Sequence, residues 1–246
     1  MSNSKLVDYK RLSPHKSSRN GRRIKKITIH HMAGDLSVEE CGAVFMKREA
    51  SANYGVDSDG RIGLYVDEKY RAWTSSNRAN DEQAVTIEVA NDGGAPNWHV
   101  SAKALEATID LCVDICKRNG IKKLNYNGKS SGTLTRHNMF AATTCPGPYL
   151  QSKFNYIESE VNRRLAAKKT TTTTKKTTTS SSSFRVQVTA NTLNIRAGAG
   201  EKYDIIGQIK DKGVYTIVKV SGKWGLLKAG PKVGSSWIHL DYTKRV

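Results

Sequence analysis

The sequence predicts an α/β domain, with a mixed central sheet flanked by helices, followed by a small all-β barrel domain. Three observations lead there. Between Arg23 and Leu165, β-branched runs alternate with amphipathic stretches of helical period, and one pair of runs is a hairpin, so parallel and antiparallel neighbours share a sheet. Residues 168–183, KKTTTTTKKTTTSSSS, hold only Lys, Thr and Ser and cannot offset the entropy of ordering, which makes them a linker. Beyond them, short apolar strands alternate with Gly, Asp-Lys-Gly and Ser-Gly turns and show no helical period. The expected organisation is therefore a domain over 1–167, a linker over 168–183 and a second domain over 184–246.

In the first domain RIKKITIHH, ending at His30 and His31, is the first clear strand. DLSVEECGAVFMKRE follows as a helix, with Ser37 and Glu40 spaced as a capping box. ANYGV, DSDG and RIGLYV read as strand, tight turn and strand, with Asp59-Gly60 as the turn pair. AVTIEVA is a further strand. Ser101 can cap a helix that runs to Asn119 and stops at Gly120, with Leu105, Ile109, Cys112, Val113 and Cys116 on one face. GTLTRH is a strand, and Ile157, Val161 and Leu165 mark a last helix.

Composition narrows the function classes. The chain has 246 residues, 37% of them hydrophobic, and a net charge of +18. The excess charge is shared: +7 over 1–167, +4 in the linker and +7 over 184–246. Such a balance points to a polyanionic partner, whether nucleic acid, anionic membrane or anionic cell wall. No zinc-finger spacing, RNA-recognition motif or basic helix supports nucleic acid, and no run of 18 apolar residues supports membrane insertion. The first residues lack the apolar core of a signal peptide, so synthesis in a cytoplasm is expected. Cys41, Cys112, Cys116 and Cys145 are irregularly spaced and are expected as thiols. The first three read as core residues, since no second Cys or His pair accompanies Cys112 and Cys116.

The chemistry concentrates in RHNMFAATTCPG, Arg136 to Gly147. Imidazole nitrogens and a thiolate, with one position left to water, form a common catalytic zinc site. His137 and Cys145 can supply two ligands if the loop between them is turned back at Pro146 and Pro148. A third must come from elsewhere. His30 and His31 end a strand and point to opposite faces, so one of them can join; the pattern does not say which.

The motifs ITIHHMAG, ANYGVDSDGRI, RAW, AVTIEVAND and RHNMFAATTCPG, in this order over roughly Lys5 to Leu165, resemble the type 2 zinc-dependent N-acetylmuramoyl-L-alanine amidases, a family that includes the peptidoglycan-recognition proteins. The resemblance implies a Zn2+ cofactor held by His30, His137 and Cys145, with Glu88 as the catalytic acid/base. Thr143 matches a position near the developing oxyanion. Two departures stand out. Where some relatives carry a catalytic tyrosine this chain has Ala52, beside Asn53, and the family's AWHAG reads AWTSS, which keeps Trp73 and loses the histidine. Asn53 and Trp73 are the expected substrate-binding residues, while His15, His31, His99 and His239 are expected to be structural or exposed.

The second domain is similar to bacterial Src-homology-3-like modules through LNIRAGAGEKYDIIGQIKDKG and SSWIHL, which implies cell-wall binding, with Tyr203, Trp224 and Trp237 as aromatic candidates. The resemblance as a whole implies a peptidoglycan hydrolase that cuts between N-acetylmuramic acid and L-alanine. Its partners would be bacterial peptidoglycan and anionic wall polymers. It would be a phage or prophage endolysin released through a holin-type pore, or an autolysin; the alternative is a peptidoglycan-binding protein without catalysis.

Overall fold

A computed structural model of the chain describes residues 2–166, 183–201, 203–228 and 236–246. Its contacts divide it into two compact units, Met1–Thr173 and Thr174–Val246. Apart from Ser183, the expected linker lies outside the described residues.

The first unit runs β1 (Tyr9–Lys10), β2 (Lys16–Ser18), β3 (Lys26–His31), α1 (Val38–Lys47), β4 (Tyr54–Val56), β5 (Ile62–Leu64), β6 (Tyr70–Ala72), α2 (Arg78–Asp81), β7 (Ala84–Val89), α3 (Ala102–Asn119), β8 (Leu134–Arg136), α4 (Pro148–Ser152) and α5 (Phe154–Ala166). Six strands form one sheet in the order β1-β5-β4-β7-β3-β8. Only β4 and β5 pair antiparallel, as a hairpin, and the other neighbours are parallel, so the sheet is mixed as the sequence predicts.

The helix ends follow the expected chemistry. Ser37 and Glu40 complete a capping box on α1. Ser101 accepts from the Ala104 amide at the start of α3, and Gly120 ends that helix with φ 70°, a left-handed value that glycine adopts without a Cβ penalty. The α3 stripe is wider than the five positions read from sequence: Ala104, Thr108, Leu111 and Ile115 are buried with it. These side chains meet Phe154, Ile157 and Val161 of α5 and the apolar face of the sheet, Ile27, Ile29, Val85, Ile87 and Leu134. Cys112 and Cys116 belong to this core, as their helical spacing implies.

The short helices α2 and α4 and the strands β1, β2 and β6 are additional to the expected elements. The edge strand β1 and the small β2–β6 sheet come from short polar stretches without apolar alternation. Arg19, only 3% exposed, donates to the carbonyls of Glu68, Asp81, Glu82 and Ala84 at 2.7 to 3.1 Å and so ties the β2–β6 region to the start of β7.

The second unit contains β9 (Phe184–Val188), β10 (Leu193–Arg196), β11 (Ile205–Ile209), β12 (Val214–Ser221), β13 (Trp224–Leu227), β14 (Trp237–His239) and β15 (Thr243–Arg245). They form one antiparallel sheet in the order β11-β10-β14-β13-β12-β9-β15. Val186, Val188, Leu193, Ile195, Ile217 and Ile238 are among its core residues. Trp224 and Trp237 are half-buried rather than central to that core.

Candidate active site and metal centre

Strand register builds the site. β3 and β7 run parallel with His30 opposite Glu88, while β3 and β8 are parallel with Ile29 opposite Arg136, so His137 leaves β8 next to His30. Side chains alternate along a strand, which puts Thr28 and His30, Thr86 and Glu88, and Thr135 on the face away from the Ile27, Ile29 and Ile87 core. Thr28 and Thr135 hydrogen-bond each other at 2.9 Å, fixing the strands one step below the histidines. The site therefore lies at the carboxyl ends of three parallel strands, the usual place for ligands in such sheets.

The loop after β8 brings the thiol back. The Asn138 amide donates to the Cys145 carbonyl at 3.1 Å, and the Gly147 amide to the Thr144 carbonyl at 2.8 Å. Gly147 has φ 80°, and a Cβ there would lie 3.0 Å from Cβ of Trp98 and 3.1 Å from the His31 ring, so both the turn and the close approach need glycine. Cys145 Sγ then sits 3.7 Å from His30 Nδ1 and accepts from the His31 amide at 3.4 Å.

One ligand atom each from His30, His137 and Cys145 lies within 4.8 Å of the others. The rings of His30 and His137 are 4.5 Å apart. Nε2 of both histidines is buried with no hydrogen-bond partner among the described residues, and so is Oε2 of Glu88. Buried polar atoms left unpaired cost about 1–3 kcal/mol each, so a cluster of them marks a place made for a bound group. Two imidazoles and a thiol match the donor set of a catalytic zinc site with an open fourth position.

Electrostatics sharpen this. Burial, then the neighbouring His137 and His31, holds the His30 pKa well below the usual imidazole range, so it is the neutral ligand form. Burial likewise lowers His137, with Asp81 acting against it. Burial and the Glu88 charge push the Cys145 thiol up. Glu88, with 15% of its side chain exposed and Oε1 3.9 Å from His30 Nδ1, is raised to about 8 by burial, with Arg48 pulling the other way.

These groups open into a cleft of about 320 Å³. Trp73 and Thr143 line it, as does His31. The Thr143 hydroxyl oxygen accepts from the Cys145 amide at 3.2 Å, which leaves its hydrogen to donate into the cleft. Trp73 donates from Nε1 to Ser17 at 3.2 Å and stacks near His15. Asn53 is not there. It is fully buried, its amide nitrogen donates to the Val66 carbonyl at 3.1 Å and its oxygen accepts from the Thr86 amide at 3.1 Å, so its hydrogen-bonding capacity is spent inside the fold. His31 is 8% exposed and flanks the cleft against Trp98, closer to the site than the structural role expected for it.

Sequence reasoning missed the wall made by α1, where Cys41 and Phe45 at helical spacing, with Arg48 just past the helix end, line the cleft. It also missed Asp81, which accepts from the amides of Thr74 and Ser75 at 3.2 and 3.1 Å and from the Ser75 hydroxyl at 2.5 Å. This pins the loop that carries Trp73. The second unit has its own cleft of about 310 Å³, lined by Trp224, His239, Tyr242, Arg196 and Glu201 among others. Tyr203 and Trp237 are not among its lining residues.

A mixed sheet whose strand ends converge on a His-His-Cys cluster and a carboxylate has the arrangement of a metal-type site. The family described as N-acetylmuramoyl-L-alanine amidase matches residues 20–148, a little over half of the sequence, and the chain belongs to that family, in its type 2 form. Peptidoglycan hydrolysis of the amidase type is the activity this membership supports. Among solved structures, the hydrolase AmiA of Staphylococcus aureus, determined in complex with its ligand, matches with a TM-score of 0.53 at 19% identity, over 69% of this chain and 87% of that one. The catalytic domain of PlyG matches with a TM-score of 0.50 at 18% identity, over 68% of this chain and 100% of that one. At these identities the likeness is one of fold. No curated protein matches the chain.

Proposed function

We propose that the chain is a zinc-dependent amidase that hydrolyses the bond between the lactyl carbonyl of N-acetylmuramic acid and the nitrogen of L-alanine. The observation that carries this is the buried set of His30, His137 and Cys145 ligand atoms, all within 4.8 Å, beside Glu88. Those three side chains would hold the metal. When bound, zinc supplies Lewis-acid polarisation of a carbonyl and a lowered pKa for water.

The chain's own residues do the rest. Glu88 takes a proton from the attacking water as its oxygen bonds to the lactyl carbon, then returns it to the alanine nitrogen as the C–N bond breaks. A nearby cation favours the ionised carboxylate that the first transfer needs. Thr143 donates its hydroxyl hydrogen toward the carbonyl oxygen as negative charge grows there. Trp73 forms an aromatic wall for the glycan or peptide. With Ala52 where some relatives carry a tyrosine, Glu88 bears the proton transfers alone.

The second unit, with 11 basic and 4 acidic residues over Phe184–Val246, acts in this reading as a Src-homology-3-like wall-binding barrel. Its aromatic cleft at Trp224, His239 and Tyr242 is the contact surface. An amidase unit joined to a basic wall-binding unit fits an endolysin or autolysin acting at the bacterial wall.

The test is digestion of purified peptidoglycan by the wild type, Glu88→Ala and Cys145→Ser, with mass spectrometry of the products and an assay for new reducing ends. Stem peptides starting at free L-alanine, without new reducing ends and absent with both variants, are the expected result. No release by zinc-loaded wild type from several wall types would leave a binding protein.

A further inference from the structure

We infer that Arg48 is a specificity residue: its guanidinium anchors a carboxylate of the stem peptide, the first one beyond the scissile amide on the alanine side. This rests on the amidase reading above and adds the chemistry of the substrate that the cleft prefers.

Arg48 caps the carboxyl end of α1, where its amide donates to the Val44 carbonyl. The helix fixes its backbone, and its side chain is exposed along the wall of the active cleft. Arg61, Arg78, Arg118 and Arg164 in the same unit are held by carboxylates at 2.5 to 2.9 Å. Arg48 has no side-chain hydrogen bond or ion pair among the described residues.

The rest of the lining makes this charge distinctive. Apart from the histidines and thiols, the described wall is largely apolar or hydroxyl-bearing, including Met32, Leu36, Phe45, Trp73 and Thr143, and Glu88 is its one carboxylate. Arg48 is thus the single permanent cation among the described residues of the cleft. Its charge is felt at Glu88, which places it within electrostatic reach of the reacting centre. Glu88 itself is turned to His30 at 3.9 Å and is engaged in the metal site, so it leaves Arg48 unpaired.

An exposed guanidinium on a largely apolar wall pairs best with a planar carboxylate, in a two-point geometry that a neutral carboxamide cannot match. In a stem peptide, a γ-linked glutamate after alanine presents such a group, either as free acid or as amide. The cleft therefore discriminates between these two forms.

The experiment uses two soluble muramoyl tripeptides that differ only in whether the second residue carries a free α-carboxylate or a carboxamide, with steady-state kinetics of the full chain loaded with zinc. Wild type is expected to show a KM lower by roughly two- to five-fold for the acid, the value of an exposed ion pair. Arg48→Ala should bring the acid-to-amide ratio of KM close to one, and Arg48→Lys should retain part of it. A wild type that treats both substrates alike, or a ratio that survives Arg48→Ala, overturns the inference while leaving the amidase intact. An Arg48→Ala effect of equal size on kcat for both substrates would also overturn it, because that marks tuning of Glu88 instead of anchoring. Failure of the wild type to cut either compound would overturn the amidase reading itself.

Discussion

Two buried polar clusters occupy the first unit. Around Arg19, Asn53, Tyr54 and Glu68 every buried polar side-chain atom has a partner: Glu68 accepts from Tyr54 at 2.7 Å, from Arg118 at 2.6 Å and from Asn119 at 3.1 Å, and Arg19 is satisfied by four carbonyls. Around His30, His31, Glu88 and His137, each residue keeps a buried atom with none among the described residues. Both clusters are costly to desolvate, but only the first recovers the cost within the fold. The second stays open within the fold, and in the proposed function a bound metal completes it. Between these two clusters, satisfaction of hydrogen bonds separates a structural network from the candidate site, although both are buried.

That contrast is broken most severely at Cys145. If the open cluster is a zinc site, Cys145→Ser should reduce amide hydrolysis to background and bound zinc to well below one per chain. In the wild type, free zinc at 100 times its Kd should stabilise the fold by about 2.7 kcal/mol, and the variant should lose that gain. Metal analysis after dialysis and thermal unfolding with and without zinc check both. A variant that retains stoichiometric zinc removes Cys145 from the ligand set.

Glu88→Gln keeps the shape and removes the proton acceptor. A fall in kcat of about 10² to 10⁴ is expected, with zinc content unchanged. Substantial residual kcat would mean that another group moves the proton.

Arg19→Met probes the closed cluster. It strips partners from four buried carbonyls, so a loss of about 3 kcal/mol in urea unfolding is expected, with zinc affinity unaltered. Loss of zinc binding in the folded variant would show that the two clusters are coupled.

Much of this contrast was hidden from sequence. The sheet and helices were legible because β-branched runs and caps such as Ser37–Glu40 and Gly120 are local signals. β1, β2 and β6 were not, since the two- and three-residue strands Tyr-Lys, Lys-Ser-Ser and Tyr-Arg-Ala are too short to show alternation. Arg19 was unreadable because arginine is rarely buried and its partners are main-chain carbonyls scattered from Glu68 to Ala84. Asn53 was expected to touch substrate from its neighbourhood in the motif, yet its interior position follows from long-range packing against Thr86 and Val66. Three candidate site residues share a local signal: Thr28-x-His30, Thr86-x-Glu88 and Thr135-x-His137 repeat one period-two pattern. It puts a hydroxyl and then a functional group on one face of three adjacent strands. Only pairing reveals that the three belong together.

Thr143 lies between the two kinds of cluster, and so it yields the smallest and most discriminating effect. Its oxygen accepts from the Cys145 amide, a structural bond, while its hydrogen points to no partner among the described residues. Thr143→Val removes both, and Thr143→Ser restores both with one methyl fewer. If the hydroxyl stabilises the oxyanion, Val should lower kcat about ten-fold, near 1.4 kcal/mol, with zinc affinity close to wild type, and Ser should recover most of the rate. If the hydroxyl only shapes the turn, the order reverses: Val weakens zinc retention by displacing Cys145, and kcat of the fully loaded protein does not change. Measuring kcat at saturating zinc beside the zinc Kd for the three proteins separates these outcomes, because a turn acts through the ligand and an oxyanion donor acts on the substrate.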